Sequence, residues 1–451
     1  MKRIPRFIFL AVFFSIGPLT AAGLTTATEP GRLGWFEDAK LGIFIHWGIY
    51  AVDGTVESWP IQSGQIPYDV YMGQRKGFTA SAYDPKAWAK LFKEAGARYA
   101  VLTSKHHDGM ALWDTRQGKL SMKKATPAKR DLIGPYCEAL RAEGLKVGLY
   151  FSHLDWSHPD YATLRPKDAS GELNKWDYAA EGREDPQAWQ SFLKFHKAQI
   201  REIAEQFNPD LWWFDGDWTR TAEEWDMKTV RAMLEKHNPA AIFNSRMAGL
   251  GDYATPEQGI PSARIEGPWE FCMTVNDSWG WRPSDANYKS ARQIIRIFAD
   301  CLGGGGNLLL DIGPKADGTI DDAYTSRLKV LGRWIAKHQE AVYGTRAGLP
   351  AGHFYGGPTS LSKDSATVYL YCYDIPRDQV QVKGIRNAVK AVRVVGDGTT
   401  LTFRKMGGAA WINVPGILFI DVPERVNDPD LTVIAVDLEG KLDLYTGKGR
   451  D

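Results

Sequence analysis

Residues 211–218 read LWWFDGDW, an apolar run that ends abruptly on Asp215, Gly216 and Asp217. A stretch of Leu, Trp, Trp and Phe has no polar face, which is what a strand buried on both sides requires. Just upstream, Trp189, Phe192, Leu193, His196, Ile200, Ile203 and Phe207 recur at helical spacing and stop at Asn208-Pro209. A helix leading into a doubly buried strand is the unit of a parallel sheet. The alternation extends both ways, with further apolar runs at 41–47, 99–104, 146–152, 241–245, 265–270 and 307–312. Asp84-Pro85 and Asp185-Pro186 mark helix starts, each placing a capping carboxylate before a proline at the first helical position. No Gly-rich turn follows the first strand, so a nucleotide-binding open sheet is disfavoured. The spacing predicts an α/β fold, an irregular (β/α)8-like barrel of the TIM type. Glycines 303–306 follow a helix and precede a strand, the reverse of a phosphate loop, and read as a helix stop and tight turn.

After residue 345 the pattern changes. Strand-like stretches at 366–373, 379–383, 389–395, 399–404, 417–422 and 432–438, separated by Gly, Pro and Asp turns, predict an antiparallel β-sandwich over 346–447 and a polar tail at 448–451. No exposed aromatic cluster is legible there, so the domain reads as structural support rather than a glycan binder. At the other end, Lys2, Arg3 and Arg6 precede an apolar run from Phe7 to Ile16 and small residues at Ala21, Ala22 and Ala27, the layout of a secretory signal over 1–27. That leaves 28–345 for the barrel and predicts export, periplasmic or extracellular. The apolar run falls short of the ~20 residues a membrane span needs. A net charge of +1 over 451 residues, with 44% hydrophobic and 12% aromatic content, excludes disordered and nucleic-acid-attracting classes. Cys137, Cys272, Cys301 and Cys372 lack CxxC spacing and read as buried small hydrophobes, not a zinc site or disulfides.

In a parallel barrel, catalytic groups sit at the C-terminal ends of strands, so polar residues closing an apolar run are the first candidates. The first strand ends in His46 and Trp47, the second in His106, His107 and Asp108, the third near Tyr150 and Ser152, and the fourth in Asp215. A carboxylate flanked by aromatics at a barrel mouth suits glycoside hydrolysis, where a sugar must be held while an oxocarbenium-like centre is attacked or stabilised. A second carboxylate must protonate the leaving oxygen. Asp252, Glu257, Glu266 and Glu270 are the candidates, and each is equally readable as a structural partner of an arginine or a helix terminus. His106 and His107, as strand neighbours, are expected to point to opposite faces, which argues against both gripping one metal ion.

Taken in order, WFEDAKLGIFIHWG, YAVLTSKHHDGMALWDT, GLKVGLYFSHLDW, PDLWWFDGDW, the NSR at Asn244 to Arg246, SWGW at Ser278 to Trp281 and GGNLLLDIGPKADGTI resemble the α-L-fucosidases of glycoside hydrolase family 29 across residues 30–345. The resemblance implies a retaining exo-hydrolase that removes terminal α-L-fucose from fucosylated glycans, with no metal or organic cofactor. It places the nucleophile on Asp215 and sugar-binding roles on His46, His106, His107, Trp213 and Arg246. Glu57 and Trp59 follow from an ESW that stands where the family has a directly adjacent pair, and Tyr150 from the third strand. It implies Glu257 as acid/base, with Glu266 and Glu270 as alternatives. Two further readings are a related glycosidase with a shifted sugar preference, and a fucose-binding barrel without turnover.

Overall fold

A computed structural model of the chain describes residues 31–161 and 185–447; the signal segment at 1–27 and the tail at 448–451 lie outside the described residues. Seven parallel strands form the first sheet: β1 Leu41–Ile45, β2 Tyr99–Lys105, β3 Lys146–Ser152, β4 Leu211–Asp215, β5 Ile242–Phe243, β6 Glu270–Thr274 and β7 Asn307–Ile312. Their order is β5-β4-β3-β2-β1-β7-β6. Single parallel bridges, Asn244 to Tyr253, Ala254 to Trp269 and Glu257 to Cys272, carry segment 253–257 between β5 and β6, so the curled sheet meets itself through an irregular ribbon.

Side-chain alternation explains the apolar runs. On β4, Leu211 and Trp213 point inward with Phe44, Tyr99, Val101, Tyr150, Ile242, Tyr253, Cys272 and Leu309, while Leu33 and Phe36 join this cluster from the chain leading into β1. Trp212 and Phe214 point outward into the large core between the strands and the surrounding helices. Asp215 follows Trp213 by two residues and therefore faces inward at the C-terminal end. Helix Pro85–Glu94 is capped by the Asp84 carboxylate and helix Pro186–Phe207 by that of Asp185, as the sequence predicts. The long helix ends at Asn208 in the left-handed conformation.

Two strands of this sheet differ from expectation. Strand six begins at Glu270 rather than 265, because Gly267 adopts a φ of +79° and Pro268 offers no N–H to a ladder. β5 is only Ile242–Phe243, because Asn244 turns its side chain onto the Phe214 backbone, donating from Nδ2 to the carbonyl and accepting the N–H at Oδ1, each at 2.9 Å.

The C-terminal region holds β8 Arg346–Ala347, β9 Thr359–Leu361, β10 Thr367–Cys372, β11 Gln379–Val382, β12 Val389–Val394, β13 Phe403–Met406, β14 Ile417–Asp421 and β15 Thr432–Leu438. They form a five-stranded sheet, β12-β15-β10-β9-β8, and a three-stranded one, β11-β14-β13. Val368, Leu370, Val382, Val392, Leu418, Ile420, Ile434 and Val436 fill the space between them. The alternate residues Tyr369, Tyr371, Val433 and Ala435 belong to the barrel's own core. Trp334 Nε1 donates to the Leu431 carbonyl at 2.9 Å across this junction. Two aromatics of this region stand exposed outside the strands, Trp411 at 79% and Tyr355 at 77%. All four cysteines are buried and unpaired. Among the described residues no helix is long and apolar enough to cross a membrane.

Candidate active site

Asp215 is the best-partnered carboxylate at the barrel mouth. Its Oδ2 accepts the Tyr150 hydroxyl at 2.9 Å and lies 3.7 Å from His107 Nε2, while Oδ1 accepts Arg246 Nη1 at 2.9 Å. Arg246 gives its other terminal nitrogen to Glu257 Oε2, so one guanidinium holds both carboxylates. The guanidinium lies 4.6 Å over the Trp213 ring, and that ring stacks on Tyr150 with centroids 5.6 Å apart. Register explains the stack, since Tyr150 on β3 is directly opposite Trp213 on β4. Gly216, at a φ of +85°, turns the chain immediately after Asp215. Asp215 is nearly enclosed, with 10% of its side chain exposed, whereas 38% of the Glu257 side chain is open to solvent.

Three histidines at the ends of β1 and β2 gather beside Asp215. His46 Nδ1 pairs with Asp311 Oδ1 at 2.7 Å, His106 Nδ1 with Ser58 Oγ at 2.6 Å, and His107 Nδ1 with Ser152 Oγ at 2.6 Å. Burial pushes all three rings well below the ordinary histidine range, and a neighbouring imidazole adds to it in each case. They are therefore neutral, each with Nδ1 engaged, and the Nε2 of His107 lies toward Asp215. His106 and His107 do not diverge as strand alternation predicts: β2 ends at Lys105 after a register shift, and the two rings stand 4.2 Å apart. Among the described residues no three His, Cys, Asp or Glu side chains gather as metal ligands.

Glu57 is buried, its carboxyl pushed up to about 7 by burial, with backbone N–H groups opposing the shift and the charge of Glu257 adding to it. Trp59 stands edge-on to His107 at 5.4 Å. The remaining carboxylates lie elsewhere. Glu270 opens β6 low in the barrel, fully buried, accepting Trp213 Nε1–H at 3.0 Å and the Tyr99 hydroxyl. Glu266 is exposed and borders a cavity with Glu37, Gly304, Gly305 and Arg346, at the end opposite the mouth. Asp252 accepts Arg32 at 2.5 Å, Arg231 at 2.8 Å and the Phe243 N–H at 2.9 Å, and serves as an anchor.

Sequence reasoning missed several contributors. Asp311, one residue before the end of β7, is a polar residue in an apolar run, a signal close to that used for the other strands. Trp279 lies 4.9 Å from His46, and Trp218, 52% exposed, stands edge-on to His107 at 6.2 Å. Ser58 carries no signal beyond the histidine it meets, and Ser152, legible as the end of the third strand, gives no hint of its partner His107.

A family profile described as alpha-L-fucosidase matches residues 26–340. The tissue alpha-L-fucosidase of Bos taurus is 30% identical over 339 residues, 69% of each chain. The solved alpha-L-fucosidase isoenzyme 1 of Paenibacillus thiaminolyticus superposes with a TM-score of 0.80 at 32% identity, over 91% of this chain and 99% of that one. A family GH29 alpha-L-fucosidase of Bacteroides thetaiotaomicron, solved as a trapped covalent intermediate with 2-fluoro-fucosyl fluoride, gives a TM-score of 0.79 at 26% identity, over 91% and 97% of the two chains.

Proposed function

From membership of the α-L-fucosidase family, glycoside hydrolase family 29, to which this chain belongs, we propose that it acts as a retaining exo-hydrolase of terminal α-L-fucose on oligosaccharides or glycoconjugates. The observation that carries this reading is the pairing of Asp215 and Glu257 on one guanidinium, one carboxylate enclosed and the other open to solvent. Asp215 attacks the anomeric carbon and forms an ester while Glu257 gives its proton to the departing glycosidic oxygen. Water then attacks the same carbon, losing its proton to Glu257 and releasing Asp215. Two inversions give net retention.

Arg246 fixes the position of both carboxylates, holding Asp215 by Oδ1 and Glu257 by Oε2. The three neutral histidines offer their Nε2 edges to ring hydroxyls, and the half-buried Trp279 ring suits the apolar C6 methyl of fucose, while Trp213, held between Tyr150 and Arg246, backs the pocket. The covalent intermediate trapped on the Bacteroides relative supports the same chemistry here. The N-terminal basic, apolar and small-residue pattern supports export as part of this reading.

Mass spectrometry after incubation with a 2-deoxy-2-fluoro-fucosyl donor tests the covalent step. A fluorofucosyl adduct is expected on the peptide carrying Asp215. A chain that hydrolyses α-L-fucosides yet carries the adduct on another residue contradicts the assignment.

A further inference from the structure

Outside the sugar pocket, behind the strand ends, two buried histidines take no part in the reaction just described. His153 follows β3. Its backbone N–H donates to the Asp215 carbonyl at 2.8 Å, its ring Nε2 lies 3.3 Å from the Arg246 carbonyl, and its Nδ1 lies 3.0 Å from Nε2 of His196. His196 comes from helix Pro186–Phe207, and neither histidine has solvent access. The His153 ring stacks on Phe214 with centroids 4.8 Å apart, and Trp225 lies 5.4 Å from both imidazoles.

The hydrogen positions follow from the partners. A carbonyl only accepts, so His153 Nε2 carries the hydrogen facing Arg246, and its Nδ1 is a lone pair. His196 Nε2 must then donate to that lone pair, leaving His196 Nδ1 as an acceptor, the buried atom that finds no partner. Burial holds both rings neutral, the His153 imidazole at about 3 and that of His196 well below the usual range. A neutral donor chain thus runs one way, from helix to His153 to the Arg246 carbonyl. A buried polar network with one unsatisfied member costs stability compared with an apolar core, which argues for a use beyond packing.

We propose that His196 and His153 are positioning residues that fix the Arg246 backbone, so that its guanidinium meets Asp215 and Glu257 together. This rests on the reading of those two carboxylates as the reacting pair. In His153→Phe, which keeps a ring and loses the donor, kcat on an α-L-fucoside should fall about 10- to 100-fold with little change in KM, as for a small misplacement of reacting groups. His153→Gln, which restores an N–H near the Nε2 position, should recover most of the loss. In an Arg246→Ala background, His153→Phe should cause no further loss, because the effect passes through Arg246. Equal losses in both backgrounds, or wild-type kcat in His153→Phe, would overturn the proposal. Should His153→Phe not fold, His196→Phe, which takes the donor from the His153 Nδ1 lone pair, should lower kcat in the same direction by a smaller factor and add no loss in the Arg246→Ala background. Ring ¹⁵N NMR of the wild-type protein must show Nε2–H tautomers for both histidines, and an Nδ1–H form of His153 overturns the donor chain whatever the activity. A wild-type chain that cleaves no α-L-fucoside overturns the functional reading instead, and the tautomers alone then decide the donor chain.

Discussion

Asp215 and Glu257 share Arg246 but not an environment, and the difference predicts how their variants fail. Asp215→Ala removes the attacking group and should lower turnover of every fucosyl donor by ~10³-fold or more while the protein stays folded. Glu257→Gln should cost ~10²- to 10⁴-fold on oligosaccharides, whose leaving oxygen needs a proton, but far less on fucosyl fluoride. Equal losses on both substrates would place the acid elsewhere. Glu270 gives a prediction of another kind. Burial pushes its carboxyl up to about 7 from an ordinary 4.5, against the Tyr99 and Trp213 donors, so the fold prefers the protonated form. That contribution is full below about 4.5 and is lost as pH rises through about 7. Thermal unfolding of Glu270→Gln should therefore decline less between those two pH values than that of the wild type. At this scale the sequence reveals the side chains that close strands, which is why Asp215, Tyr150, His46, His106 and His107 were legible. It does not reveal who holds them: Asp311, Ser58 and Ser152 reach the histidines across strands or loops, and such pairings exist only after folding.

Segment 244–257 is the element on which the site depends. It begins with Asn244 clasping Phe214, carries Arg246, and ends with Glu257 bridged to β6. Asp252 ties it down by receiving two arginines with only 1% of its side chain exposed. Asp252→Ala leaves both guanidiniums without that partner and should cost about 3–5 kcal/mol in denaturant unfolding. It should also lower kcat, since Arg246 loses its footing; unchanged stability would show that the anchor is not needed. The strands were legible because burial on both faces writes itself as an apolar run. This segment was not, because DYATPEQ contains a proline, lacks alternation and pairs only through single bridges. The sixth strand was misplaced for a related reason, since Gly267-Pro268 interrupts a run that composition alone reads as continuous.

Across the whole molecule, barrel and sandwich meet in one core. Tyr369, Tyr371, Val433 and Ala435 pack with barrel residues, and Arg393 makes a two-pronged contact with Glu340 at 2.6 and 2.9 Å. Calorimetry should therefore show a single cooperative transition for both regions; two resolved peaks would show independent folding. Time-resolved proton NMR of the purified protein with a panel of fucosylated oligosaccharides reads the anomer released before mutarotation obscures it. α-L-Fucose should appear first, as retention through the Asp215 ester requires. First appearance of β-L-fucose would contradict it.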